Sequence, residues 1–326
     1  VPQPQGRTPD DGNSGENARE LGGDRGFLPR GDEYRERPSI RSHTGPESFL
    51  PSPRNPHPMR AVTLGPAGTY SHRAANAVAG EVDFRESVTG IVETVATGGA
   101  DRGVIPIENS IEGSVTESLD ALADYEVSVV TEIVTPIRHA LLAQSEEFET
   151  VASHSQALAQ CREFLEAEYP DASLESVAST ARGVELARED SAVAGIGHPE
   201  NAGSELRILA EDIQDRNSNA TRFLVVAPTD ARSEAGGKSS FIVYPSKNYP
   251  GLLLELLEAF ADEDINLSRV ESRPSGERLG DYLFHIDCEA GMYEQRTERA
   301  LSRVESIAED GWVRWLGSYD TQHVLY

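Results

Sequence analysis

A chain of 326 residues with 38% hydrophobic content is long enough for two or three domains with full-sized cores. Its 55 acidic residues against 29 basic ones give a net charge of −26. That argues against nucleic acid or an anionic membrane as partner, because phosphate contacts require clustered cations.

Only Lys238 and Lys247 are lysines. Dense carboxylate with so little lysine fits a salt-adapted, halophilic protein, with an ordinary acidic protein as the alternative. The two cysteines, Cys161 and Cys288, suit neither a metal motif nor a disulfide framework and point to a reducing, cytoplasmic setting. No apolar run approaches membrane-spanning length, and the N-terminus lacks a charged-then-apolar signal pattern.

Residues 1–58 hold ten of the 19 prolines, with 8 basic and 9 acidic residues and no periodic apolar pattern. Such a segment buries too little to offset its ordering entropy, so disorder is expected. Met59 is the first methionine. A natural start there would make 1–58 a non-native extension, which the intact mass of the native protein decides.

From there to residue 228 the pattern is strand, turn, helix, repeated. Strands are predicted at 61–64, 103–106, 127–134, 137–143, 150–153, 174–177 and 192–196, with a last one opening at Thr221. Helices are predicted at 69–78, 89–97, 114–123, 155–169 and 180–188. This alternation implies α/β sheets with ligands at strand ends, and two such lobes side by side leave a cleft. Residues 229–237 read as a linker. The remaining segment, 238–326, has the order βαββαβ, a ferredoxin-like split motif, with helices carrying apolar stripes at 252–260 and 300–308.

Three strand-to-helix passages carry polar groups. Gly65-Pro-Ala-Gly-Thr-Tyr-Ser71 is neither a dinucleotide fingerprint nor a Walker loop. Its glycines and the hydroxyls of Thr69 and Ser71 suit either an anion or a simple helix cap. Pro106-Ile-Glu-Asn-Ser-Ile-Glu-Gly113 places Glu108 and Asn109 at a strand end, and Ser153-His-Ser-Gln-Ala-Leu-Ala-Gln-Cys161 makes a third such mouth. The strand opened by Thr221, Arg222 and Phe223 presents a hydroxyl and a guanidinium suited to a small anionic substrate.

Together with Glu271-Ser-Arg-Pro274, these motifs in this order give the chain a resemblance. From about Arg60 to the C-terminus it resembles prephenate dehydratases with a C-terminal regulatory ACT domain. The resemblance implies two α/β lobes like those of periplasmic binding proteins, with the site in the cleft. It implies conversion of prephenate to phenylpyruvate with loss of water and carbon dioxide, without metal or organic cofactor. Thr221 is then the leading catalytic residue, with Asn109, Ser153 and Gln160 lining the substrate and Thr69, Ser71, Arg222 and Phe223 as further contacts. A threonine hydroxyl is too weak an acid to protonate outright, but it can donate a hydrogen bond to the departing oxygen in a dry cleft. Glu108 is either a proton source raised by burial or an orienting group for Asn109. Arg222 and helix N-termini are expected to receive the dianion.

The resemblance further implies feedback inhibition by L-phenylalanine at an interface between regulatory domains, hence a homodimer or homotetramer. The matching segments are Pro250, Gly251, Leu252 and Leu253, and Glu271, Ser272, Arg273 and Pro274, with Leu252 standing where the family usually has alanine. Arogenate as substrate and a non-catalytic amino-acid sensor are the alternatives. No fused chorismate mutase is expected.

Overall fold

The computed structural model describes residues 58–324 apart from 112, 217, 218, 234 and 277. The expectation for residues 1–58 lies, Pro58 aside, outside them.

The first lobe runs β1 (Arg60–Leu64), α1 (Tyr70–Asn76), β2 (Glu81–Arg85), α2 (Val88–Ala96), β3 (Arg102–Asn109), β4 (Gly113–Ser114), α3 (Thr116–Asp124) and β5 (Ser128–Pro136). The pattern behind it is visible in α2. Ser87 caps it by accepting from Gly90 N at 3.1 Å, and Val88, Ile91, Val92 and Val95 recur at helical spacing and are buried. Each such side chain contributes about 1.5–3 kcal/mol relative to an exposed position.

The chain then builds a second lobe from β6 (Ala140–Ala143), β7 (Thr150–Ser153), α4 (Ser155–Gln160), α5 (Arg162–Glu168), β8 (Ser173–Ser176), α6 (Thr180–Glu189), β9 (Val193–Gly197) and β10 (Arg207–Ala210). It returns to the first lobe as β11 (Ala220–Ala227), which pairs antiparallel with both β3 and β5. Two segments, 137–139 and 211–219, therefore cross between lobes. They run side by side, Ile137 N donating to Asn219 O at 2.8 Å and Ile213 N to His139 O at 3.0 Å.

The third unit comprises β12 (Lys238–Tyr244), α7 (Leu252–Ala261), β13 (Leu267–Pro274), β14 (Tyr282–Cys288), α8 (Gln295–Ala308) and β15 (Trp312–Tyr319). Its sheet order is β13-β14-β12-β15, all pairs antiparallel, the expected ferredoxin-like arrangement. One face packs on α7 and α8 through Phe241, Val243, Leu256, Phe260, Leu301 and Val304. The other face sends Ile242, Leu283, Leu316 and Tyr319 into the core of the first lobe. The first-lobe sheet has the order β16-β5-β11-β3-β1-β2 with β4 on β3, where β16 (Thr321–His323) lies parallel to β5. The second has the order β10-β6-β9-β7-β8.

Three features depart from expectation. The predicted helix 155–169 breaks at Cys161, because Asp215 N takes the Gln160 carbonyl at 2.7 Å and the Asp215 carboxylate accepts from Glu163 N at 3.2 Å. Strands β2, with two apolar residues in five, β4, only two residues long, and β10, only four, were not anticipated. Residues 321–323 leave the third unit and join the first-lobe sheet.

Candidate active site

Antiparallel pairing of β11 with β3 sets Thr221 opposite Asn109 and Arg222 opposite Glu108. Since side chains alternate across a strand, the first pair faces one side of the sheet and the second pair the other. Thr221 and Asn109 face a cleft of about 370 Å³ between the lobes. There Asn109 Nδ2 donates to Thr221 Oγ1 at 3.0 Å, while Asn109 Oδ1 accepts from Ile111 N at 3.0 Å. Thr221 thus receives a hydrogen bond, and among the described residues no acceptor takes its own proton. Thr69, Ser71, Gln160 and Phe223 line the same cleft.

Three expected site residues lie elsewhere. Ser153, at the end of central strand β7, is fully buried and donates to Ile196 O at 2.7 Å, so its hydroxyl ties β7 to β9. Glu108 turns from the cleft toward Arg222 and Arg269, at 3.9 and 3.8 Å. Arg222 donates to Asp287 of β14 at 2.6 Å, to Tyr319 of β15 at 3.2 Å, and to buried Glu132 of β5. Burial opposes its charge, but Asp287, Tyr319 and Glu132 outweigh that and hold its pKa above the ordinary value. Arg222 therefore joins the first lobe to the third unit. Among the described residues lining the cleft there is no lysine or arginine.

Neutral donors and helix ends occupy the cleft instead. Thr69, His154 and Ser179 cap α1, α4 and α6, and all three line it. The ten-residue α6 can approach because Gly183 lies against β7, where a Cβ would meet the Ala152 carbonyl oxygen at 2.3 Å. Its positive dipole end and the adjoining Ser179 and Thr180 hydroxyls suit a carboxylate. Ser179 repeats the strand-then-cap pattern of the other mouths and was legible in the sequence. Gln156, His139 and Asn219 also line the cleft and were not anticipated. Burial lowers the His139 pKa, offset in part by its bond to Gln160. Opposite, Arg73 of α1 reaches Glu200 and Asn201 of the second lobe, Asn201 at 2.7 Å. Among the described residues no group of three or more His, Cys, Asp or Glu is placed to hold a metal ion.

In the third unit, Gly251 has φ +99° and sits before α7, a conformation that favours glycine. Leu252 is not a surface contact within this chain: its side chain is buried in the core under α7. Along β13, Glu271 accepts from Ser114 Oγ at 2.8 Å and Arg273 donates twice to Asp120 at 3.0 and 3.1 Å. Both are turned onto the first lobe, whereas Leu253, Ser272 and Pro274 are exposed.

The family model for prephenate dehydratase matches residues 61–231. A bifunctional chorismate mutase/prephenate dehydratase of Aquifex aeolicus is 38% identical, the match covering 80% of this chain and 73% of that one. Prephenate dehydratase of Methanocaldococcus jannaschii is 35% identical, covering 78% and 95%. The crystal structure of prephenate dehydratase from Arthrobacter aurescens in complex with L-Phe aligns with a TM-score of 0.73 at 35% identity, over 80% of this chain and 90% of that one. With an Asn109–Thr221 pair in an inter-lobe cleft and relatives of this breadth, the chain belongs to the prephenate dehydratase family.

Proposed function

We propose that the cleft between the lobes converts prephenate to phenylpyruvate, the step toward phenylalanine that makes this chain a carbon–oxygen lyase. The ring loses carbon dioxide from the quaternary carbon and its hydroxyl from the opposite carbon. The electron pair of the broken C–C bond completes the aromatic ring, and the departing hydroxide takes one proton to leave as water. Aromatisation drives the reaction, so the protein's task is to hold the dianion and assist the departing oxygen.

The observation that carries this reading is the Asn109–Thr221 bond at 3.0 Å. Because Thr221 accepts there, its hydroxyl proton is available to the leaving oxygen. A donor aimed at developing charge typically contributes about 100- to 1,000-fold in rate. The substrate carboxylates are met by the end of α6 and by hydroxyl and amide donors rather than by Arg222.

The third unit acts, on this proposal, as an ACT domain that binds L-phenylalanine between copies of the chain, which supports a homodimer or larger assembly. The L-Phe complex of the Arthrobacter relative supports it. So do the glycine turn before α7, the exposed Leu253 on α7, and the exposed Ser272 and Pro274 on β13. The acidic surface fits a salt-adapted enzyme.

Phenylpyruvate formation from prephenate in molar KCl, with and without L-phenylalanine, tests the reading. Activity that falls with phenylalanine is expected, and Thr221→Ala should lower kcat about 100-fold or more while the fold persists. Near-normal turnover by that variant removes Thr221 from the chemistry, and absence of phenylalanine binding in equilibrium dialysis removes the regulatory part.

A further inference from the structure

Each of the two segments that cross between the lobes delivers one polar side chain to the cleft: His139 from 137–139 and Asn219 from 211–219. Asn219 is 1% exposed and His139 2%. His139 Nε2 lies 3.0 Å from Gln160 Oε1, and Asn219 Nδ2 donates to the same oxygen at 2.9 Å. Asn109 Nδ2 in turn donates to Asn219 Oδ1 at 3.3 Å as well as to Thr221. The chain of contacts His139–Gln160–Asn219–Asn109–Thr221 is continuous: Asn219 of one crossing links Gln160 of the second lobe to Asn109 and Thr221 of the first, and His139 of the other crossing bonds Gln160 from its far end.

Its direction is fixed at one end by a group that cannot reverse. Ile111 N is a backbone donor, so Asn109 must turn its oxygen toward it and its amide nitrogen toward Asn219 and Thr221. Asn219 must then offer its oxygen to Asn109 and its nitrogen to Gln160. Gln160 answers with its oxygen, which leaves its NH2 group for the cleft, and His139 must donate through Nε2–H. Among the described residues His139 Nδ1 has no partner, in keeping with a neutral ring protonated on Nε2 alone.

We infer that His139 and Asn219 are positioning residues whose directed hydrogen bonds hold Gln160 with its NH2 toward the substrate and keep Asn109 donating to Thr221. The inference deepens the proposed dehydration and rests on it for its kinetic consequences, but the tautomer of His139 can be read without any activity. A reversed Gln160 would set a carbonyl oxygen against a substrate carboxylate, and a reversed Asn109 would take the Thr221 proton.

Two measurements test it. Nitrogen-15 NMR of the imidazoles in the full-length protein near neutral pH should show His139 protonated on Nε2 and bare on Nδ1. A proton on Nδ1 overturns the inference whether or not the protein turns over prephenate. Kinetically, Asn219→Asp can accept from Asn109 but cannot donate to Gln160, so kcat should fall about ten- to hundredfold and KM should rise. His139→Gln keeps a donor near the ε position and should retain most activity, while His139→Asn, whose amide sits near the δ position, should behave like Asn219→Asp. Thermal melts identify variants that do not fold, and the NMR result decides on its own if they fail. Equal kcat for His139→Gln and His139→Asn, both folded, means that the donor direction does not matter and sinks the idea.

Discussion

Replacing Arg222 by methionine separates two roles that adjacent residues of one strand could have. If Arg222 received the substrate, Arg222→Met would raise KM and leave stability nearly untouched. Its placement predicts the reverse. The substitution strands Glu132, whose side chain is 1% exposed, and Asp287, at 5%. Removing one member of a buried ion pair typically costs about 3–5 kcal/mol. Here the lower end applies, because Glu132 keeps Lys238 at 2.8 Å and Thr321 at 2.6 Å, and Asp287 keeps Ser240 at 2.6 Å. A loss of about 3 kcal/mol, at a urea slope of about 3 kcal/mol/M, moves the unfolding midpoint down by about 1 M. A double-mutant cycle with Asp287→Asn should return a coupling of about 1 kcal/mol or more. An unchanged midpoint together with a raised KM would refute the reasoning and return Arg222 to the cleft.

The fold should also weaken in acid through His285. Burial, reinforced by Arg269, brings its pKa down to about 4, so the folded chain refuses a proton that the unfolded chain accepts near 6.5. That contribution is fully present above about pH 6.5 and is lost as pH falls toward 4, amounting to about 2 kcal/mol by pH 5. His285→Gln should therefore lose less Tm between pH 7 and pH 5 than the parent, and an equal loss would show that His285 does not carry the effect. Salt should act in the opposite sense. With a net charge of −26, raising KCl from 0.1 to 1 M shortens the screening length from about 10 Å to about 3 Å and relieves self-repulsion. Tm should climb across that range, and a flat or falling Tm would contradict the salt-adapted reading.

Most of the framework was legible because its signals are local. Apolar spacing gave helices such as α2, and capping side chains marked the mouths that converge on the cleft. The side to which Arg222 and Glu108 turn is also written in the sequence. Strand alternation alone forbids Thr221 and Arg222, or Asn109 and Glu108, from facing the same side. Other features had no local signal. The break after Gln160 is imposed by Asp215, 55 residues downstream. Ser153 carries a polar side chain into a central strand where only its tie to Ile196 accounts for it. His139 and Asn219 owe their place to the two crossings, and neither the histidine nor the asparagine announces that in its own neighbourhood.

The short strand β16 changes the mechanics of the third unit. A domain hung on a single linker can swivel, and news of what it binds dissipates in that freedom. Here the polypeptide leaves the first lobe after β11 and comes back to lie on β5, with Thr321 bonded to Glu132. The unit is thus held like a handle riveted at both ends, and both rivets sit on neighbouring strands of one sheet. Both attachments fall on β5 and β11, and β11 is the strand that carries Thr221.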